Sequence, residues 1–114
     1  MLLTIEPGGS VYDRVADAIT ERIALGELVQ GDRLPSARDL AEALGLNVHT
    51  VLHAYQRLRD DGIVELRRGR GAVVVGAAAV AELRAAVAEL VAAARQHGAG
   101  EALLVGMIRK EFCV

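Results

Sequence analysis

Apolar residues recur every three or four positions near the start of the chain, which is the spacing of an amphipathic α-helix. The pattern predicts a first helix over about residues 10 to 25, with Ser10 as its N-cap and Gly26 at its end. Before it we expect an extended segment, Met1–Glu6, and a break at Pro7-Gly8-Gly9. The predicted inner face is Val11, Val15, Ala18, Ile19 and Ile23, followed by Leu28. The predicted outer face is Asp13, Arg14, Asp17, Glu21 and Arg22.

Two more helices follow, separated by a short turn. Ser36 is the predicted N-cap of the second helix, Asp39 completes an approximate capping box, and Gly45 ends the helix. Asn47 is the predicted N-cap of a third helix over about residues 48 to 61. Its inner face would be Val51, Ala54, Tyr55 and Leu58, and its outer stripe Thr50, His53 and Arg57. Two helices joined by a short glycine-containing turn form a helix-turn-helix, whose second helix can enter the major groove of DNA.

Two β-prone runs come next, Ile63–Leu66 and Ala72–Val75, and the segment Arg67–Gly71 between them predicts a hairpin loop. A hairpin after a helix-turn-helix is a wing. The predicted fold class is therefore mainly α with a small β-hairpin. We expect a winged helix-turn-helix domain over residues 1–76 and a helical segment over residues 77–114.

The helical segment predicts self-association. An alanine-rich helix should run to about Gln96 with a heptad-like apolar seam, and a last helix should span about Glu101 to Phe112 after a break at His97–Gly100. Two helices cannot bury all of their large apolar residues against each other, so we expect a homodimer, although part of each stripe would be intrachain core. The seam is Val80, Leu83, Val87, Leu90 and Ala94. The predicted dimerisation residues are Val80, Leu83, Val87, Leu90, Leu104, Met107, Ile108 and Phe112.

Length and composition limit the classes that fit. The chain has 114 residues, of which 53% are hydrophobic and 25% charged, so one compact domain with an appendage is expected and disorder is not. No apolar run approaches the roughly 20 residues of a bilayer span, and no secretory signal is visible, so we expect a cytoplasmic protein. Cys113 is the only cysteine and can form no internal disulfide.

The distribution of charge predicts that anions bind to one part of the surface rather than to the molecule as a whole. The net charge is −2, yet Arg67, Arg68 and Arg70 place three cations within four positions of the predicted wing. Almost every cation in the chain is arginine, whose planar guanidinium can bind phosphate or a guanine edge through two hydrogen bonds. Any nucleic acid would therefore be met by a restricted part of the surface.

Several of these segments together resemble the GntR family of bacterial transcription regulators. The resemblance lies in Leu34–Ala41, Asn47–Val51, Ala54–Leu58 and Arg68–Gly71, and covers Ser10 to Val75. The short tail is similar to that of the YtrA subfamily, in which two helices serve dimerisation. The resemblance implies double-stranded DNA as a partner. It supports a DNA-binding set of Ser36, Arg38, Asn47, His49, Thr50, His53, Arg67, Arg68, Gly69 and Arg70.

Other roles for these residues remain open. Arg38 fits a solvated surface arginine, Asn47 fits a helix cap better than a base contact, and the wing arginines fit a solubilising loop. The sequence also departs from the family pattern. Leu52 stands where many relatives place an arginine, Val48-His49 replaces the common Pro-Asn, and Ala72-Val73 replaces the usual Thr and aromatic of the wing strand. Base preference therefore cannot be copied from a relative.

His49 and His53 have the spacing of two zinc ligands on one helix face, but no further Cys or His is close in sequence, so we expect neither a metal nor any other cofactor. Histidine titrates near neutral pH, and these two predict stronger DNA binding in mildly acid solution.

The sequence contains no P-loop and no nucleophile elbow, so an enzyme is not expected. The favoured function is a dimeric, sequence-specific DNA-binding repressor of an inverted-repeat operator. The alternative is a winged helix that binds another protein. A small-molecule effector at the dimer interface is compatible with the favoured function.

Overall fold

The computed structural model describes residues 10 to 113, so the expected opening segment and the break before Ser10 lie outside the described residues. The chain divides into two compact units, the first ending at Ala81 and the second beginning at Glu82. The elements are α1 (Val11–Ala24), α2 (Ala37–Leu44), α3 (Val48–Asp60), β1 (Val64–Arg67), β2 (Gly71–Val74), α4 (Ala77–Gln96) and α5 (Glu101–Phe112).

Helix α1 forms as predicted. The Ser10 hydroxyl accepts a hydrogen bond from the Asp13 amide at 3.2 Å, which satisfies one of the free N–H groups at the helix start. The buried residues Val15, Ile19 and Ile23 then lie on one face, as their spacing requires. Val11 is 36% exposed, so the buried part of the inner face begins later than predicted.

The helix-turn-helix is confirmed by α2 and α3. Gly45 ends α2 in the left-handed region at φ 67°, a conformation that glycine adopts without the steric cost of a Cβ. Asn47, two residues later, is the N-cap of α3, so the turn between the helices is very short. The four predicted inner residues of α3 are all buried, and Val51 and Leu58 are among the largest fully buried side chains.

The wing is an antiparallel hairpin in which Val64 pairs with Val74 and Arg67 with Gly71. Strand β1 starts one residue later than predicted, because the Ile63 amide donates to the Leu58 carbonyl at 2.9 Å and so caps the C-terminus of α3.

A third segment joins the hairpin, and the sequence pattern did not predict it. Arg33 forms an isolated antiparallel bridge with Val73, on the side of β2 away from β1. The Leu34 amide donates to Ala72 at 2.8 Å, and the Val74 amide donates to Asp32 at 2.8 Å. The segment that leads into α2 is thereby fixed to the wing.

The core of the first unit continues into the start of α4. Val80 is only 4% exposed and belongs to the same apolar cluster as Ile19, Leu58 and Val74. Gly76 makes this junction possible, since a Cβ there would lie 2.7 Å from the Gly62 carbonyl oxygen. The first turn of α4 is therefore part of the winged helix, although the sequence boundary was expected at residue 76.

The second unit contains the rest of α4 and α5, with the predicted break at residues 97–100 between them. Of its large apolar residues, Leu83, Met107 and Phe112 are 63%, 57% and 86% exposed. Val87, Leu90 and Ile108 are also exposed, whereas Ala94 is buried. Within residues 10 to 113, no helix has the length and apolar character needed to span a bilayer.

Candidate nucleic-acid interface

The N-terminus of α3 presents the first predicted contact residues. The Asn47 side-chain oxygen accepts a hydrogen bond from the His49 amide at 2.8 Å, so the capping role weighed for this residue is what the structure shows. His49 is exposed and Thr50 is half-buried, which leaves both in reach of a ligand. The remaining amides and the dipole of this helix end favour negative charge, such as a DNA phosphate.

The predicted outer stripe of α3 is corrected by the packing of α1. The ring of His53 stacks on that of Tyr12, with centroids 4.1 Å apart and an interplanar angle of 24°. The Arg57 guanidinium is 2.9 Å from Asp13 and 2.9 Å from Asp17. This side of α3 therefore faces α1. Asp13, predicted to face water, and Arg57, predicted on the outer stripe, instead pair with each other between the two helices. His53 retains exposed surface, and its predicted DNA contact stays a prediction.

These contacts stabilise the positive charge of Arg57. Partial burial by itself would lower the pKa of Arg57, but the hydrogen bonds and charges of Asp17 and Asp13 outweigh that effect and raise it. A third carboxylate, that of Asp61, lies 3.6 Å from the same guanidinium. Arg57 is thus committed to holding α3 against α1.

The solvent-facing stripe of α3 consists instead of His49, Leu52 and Gln56, all of them exposed. These positions lie opposite the buried face, as the helical repeat of 3.6 residues requires. Leu52 and Gln56 were not among the predicted site residues, although the spacing of Val51 and Leu58 on the buried face was sufficient to place them outside.

Arg38 and Ser36 lie at the start of α2. The Ser36 hydroxyl accepts from the Asp39 amide at 3.1 Å and so caps the helix, as predicted. Arg38 is exposed, and across the described part of the chain it forms no ion pair. Its guanidinium is therefore available to an anion.

The wing arginines differ in their surroundings. Arg67 is paired with Glu65 on the same strand, at 3.2 Å. Arg68 and Arg70 lie on either side of Gly69 at the tip, are exposed, and make no ion pair with any residue between 10 and 113. Gly69 permits the tight turn through its φ of 81°. The tip thus carries two uncompensated cations.

The structure brings no third potential metal ligand to His49 and His53 among residues 10 to 113. Among the described residues, no group of three or more His, Cys, Asp or Glu side chains is arranged to hold a metal ion.

A helix-turn-helix with a solvent-facing second helix, followed by a hairpin tipped with free arginines, defines the winged helix-turn-helix class of nucleic-acid-binding domains. Residues 11–74 match the family model described as bacterial regulatory proteins, gntR family, and the chain belongs to that family. The resemblance to GntR regulators is thereby confirmed. The family is regulatory rather than enzymatic, which agrees with the expectation that the chain is not an enzyme.

Relatives and solved structures agree with this membership. The transcriptional repressor YtrA of Bacillus subtilis is 36% identical over 75 residues, covering 64% of this chain and 58% of that protein. YtrA of Sulfolobus acidocaldarius, a GntR-family transcription factor, is 38% identical at a TM-score of 0.60, covering 80% of this chain and 96% of that one.

A DNA complex is also among the similar structures. The DNA-binding domain of AraR with its operator is 25% identical at a TM-score of 0.54, covering 65% of this chain and 95% of that one. The chain spans only 58% of the length of the Bacillus YtrA that it matches.

Proposed function

We propose that this chain is a homodimeric, sequence-specific DNA-binding regulator that represses transcription from an inverted-repeat operator in the cytoplasm. The observation that carries the proposal is the exposed start of α3 together with the free cations of Arg38, Arg68 and Arg70 in the same compact unit. The repressor role is supported by the similarity to the transcriptional repressor YtrA of Bacillus subtilis.

Electrostatics support DNA over a neutral partner. The chain as a whole is slightly acidic, with a net charge of −2, so no general attraction draws it to phosphate. On the α1 side of the domain, the charge of Arg57 is paired within the molecule with Asp13 and Asp17. The two arginines of the wing tip have no such partner among the described residues, and each phosphate that an arginine neutralises releases condensed counterions from the duplex.

The second unit supports a dimer. Its exposed apolar residues Leu83, Val87, Leu90, Met107, Ile108 and Phe112 are an unusual concentration for a monomer surface. Each side chain that becomes fully buried contributes about 1.5 to 3 kcal/mol. Leu104, also predicted to contact the partner, is half-buried. Val80 lies in the winged-helix core, so we assign it to anchoring α4 rather than to the dimer contact. A twofold dimer would present two copies of α3 to an inverted repeat.

Selection of bound fragments from a random DNA pool tests the proposal most directly. We expect an enriched inverted repeat with half-sites one helical turn apart, or a multiple of it. Gel-shift titration on that fragment should then show saturable, salt-sensitive binding, weaker on scrambled DNA of equal length. A pool that returns no enriched sequence, with no saturable binding to any fragment, would contradict the proposal and favour a protein-binding winged helix.

A further inference from the structure

Leu52 is an apolar side chain in the middle of the solvent-facing stripe of α3. It is 41% exposed, whereas Val51 beside it is fully buried. His49 lies three positions before it and Gln56 four positions after it, so the three share one face of the helix. Leu52 is thus on the face that would enter a major groove, within two turns of the helix N-terminus.

The chemistry of leucine restricts what it can recognise there. It has no hydrogen-bond donor or acceptor, so it can bind neither a phosphate nor the polar edge of a base. Of the groups that unmodified DNA displays in the major groove, the 5-methyl group of thymine is the apolar one. A polar base edge placed against Leu52 would lose water without gaining a hydrogen bond, which disfavours that base.

We propose that Leu52 reads a thymine in each half-site by packing against its 5-methyl group. The proposal rests on the DNA-binding function given above and adds to it a base preference at one position. It makes Leu52 a specificity-determining residue, and it makes the methyl group, rather than the hydrogen-bonding edge of the base pair, the feature recognised.

The test uses the full chain and the fragment enriched from an unmethylated random pool. Each thymine of one half-site is replaced in turn by deoxyuridine, which removes the methyl group and preserves base pairing. We expect one position to weaken binding about fourfold, the loss that corresponds to one buried methyl-sized group. Replacement in both half-sites should weaken binding about 16-fold, if the two contacts add.

Two variants assign the effect to the side chain. Leu52→Ala should bind thymine and deoxyuridine fragments equally at that position, whereas Gln56→Ala, on the same exposed stripe, should keep the wild-type difference between them. Leu52→Arg should shift the selected base at that position toward guanine, whose O6 and N7 accept two hydrogen bonds from arginine. Circular dichroism of each variant confirms that it is folded.

The outcomes separate the two proposals. If the pool yields no enriched site, the DNA-binding function itself fails and this inference fails with it. If a site is enriched but no thymine shows a methyl dependence, or if Leu52→Ala keeps the dependence, the function stands and the role of Leu52 is overturned.

Discussion

The Tyr55 hydroxyl donates a hydrogen bond of 2.7 Å to the Pro35 carbonyl, which joins α3 to the segment that leads into α2. Tyr55 is buried, and the bond ties the two helices of the helix-turn-helix together at the end that carries Ser36 and Arg38. This bond therefore adds to the core packing that fixes the relative position of two predicted DNA-contact regions.

Removal of that hydroxyl should destabilise the fold without disrupting its packing. Tyr55→Phe keeps the ring but leaves the Pro35 carbonyl without its partner, and we expect a loss of about 1 kcal/mol in the free energy of unfolding. Urea denaturation followed by circular dichroism measures it. Tyr12→Phe is the matched control, because it removes an equivalent hydroxyl from the α1 side. Equal stability of Tyr55→Phe and the wild type would show that the bond contributes nothing.

The same residue predicts a dependence on alkaline pH. Burial raises the pKa of Tyr55 above its ordinary value of 10.0. The folded chain therefore retains this proton at a pH where the unfolded chain loses it, so stability is unaffected below pH 10 and falls as pH rises beyond it. Where Tyr55 is the only group whose protonation differs between the folded and unfolded chain, the free energy of unfolding falls by up to about 1.4 kcal/mol per pH unit. Unfolding titrations between pH 9 and pH 11 should show a shallower fall in Tyr55→Phe than in the wild type.

Arg57 should contribute modestly to stability because its ion pairs are only partly buried. We expect Arg57→Ala to cost about 0.5 to 1 kcal/mol, with the loss reduced in high salt. A double-mutant cycle with Asp17→Asn isolates the pair. Arg59→Ala is the control on the same helix, since Arg59 pairs with the adjacent Asp60 and not with α1. A coupling energy of zero between Arg57 and Asp17 would show that this ion pair does not help to hold α3 against α1.

The wing arginines should act through phosphate rather than through sequence. We expect Arg70→Ala to weaken binding to operator and scrambled DNA by similar factors and to reduce the slope of log K against log salt by about one per protomer. Arg67→Ala should have the smaller effect, because Glu65 already neutralises that side chain. Affinities measured between 50 and 200 mM salt give this slope for each variant. An unchanged slope for Arg70→Ala would place its side chain away from the duplex.

The second unit, which begins at Glu82, should determine the oligomeric state. Leu83→Lys places a charge in the exposed apolar stripe of α4, and we expect it to shift sedimentation from dimer to monomer. Ala85→Lys puts the same charge on the opposite face of the helix and should leave the dimer intact. Loss of the dimer should also weaken operator binding, because two linked half-site contacts become one. A wild-type chain that sediments as a monomer at micromolar concentration would contradict the proposed assembly.

Much of this architecture could be predicted because local signals and tertiary structure agree. Ser10, Ser36, Asn47 and Gly45 each mark a helix end by the hydrogen bond or backbone conformation that they supply, and the buried face of α3 follows from its period. The bridge between Arg33 and Val73 could not be predicted, since a single bridge leaves no alternating pattern in the sequence.

The candidate site was harder to predict than the fold. Periodicity separates the buried side of α3 from the others, but it does not say which polar side another helix will cover. Tyr12 and Asp13 decide this by contacting His53 and Arg57, which leaves His49 and Leu52 facing outward. The burial of Val80 in the winged-helix core could not be predicted either, because its place in the apolar seam of α4 is equally compatible with a dimer contact.

The segment that precedes α2 has one more effect, on the wing as an exposed sheet. Because it bridges to Val73, β2 has neighbours on both sides, and β1 is the free edge of the hairpin in the described structure. That edge is only four residues long and carries the charges of Glu65 and Arg67. Short, charged edges resist the addition of strands from other molecules. The hairpin can therefore project into solvent without becoming a nucleus for aggregation.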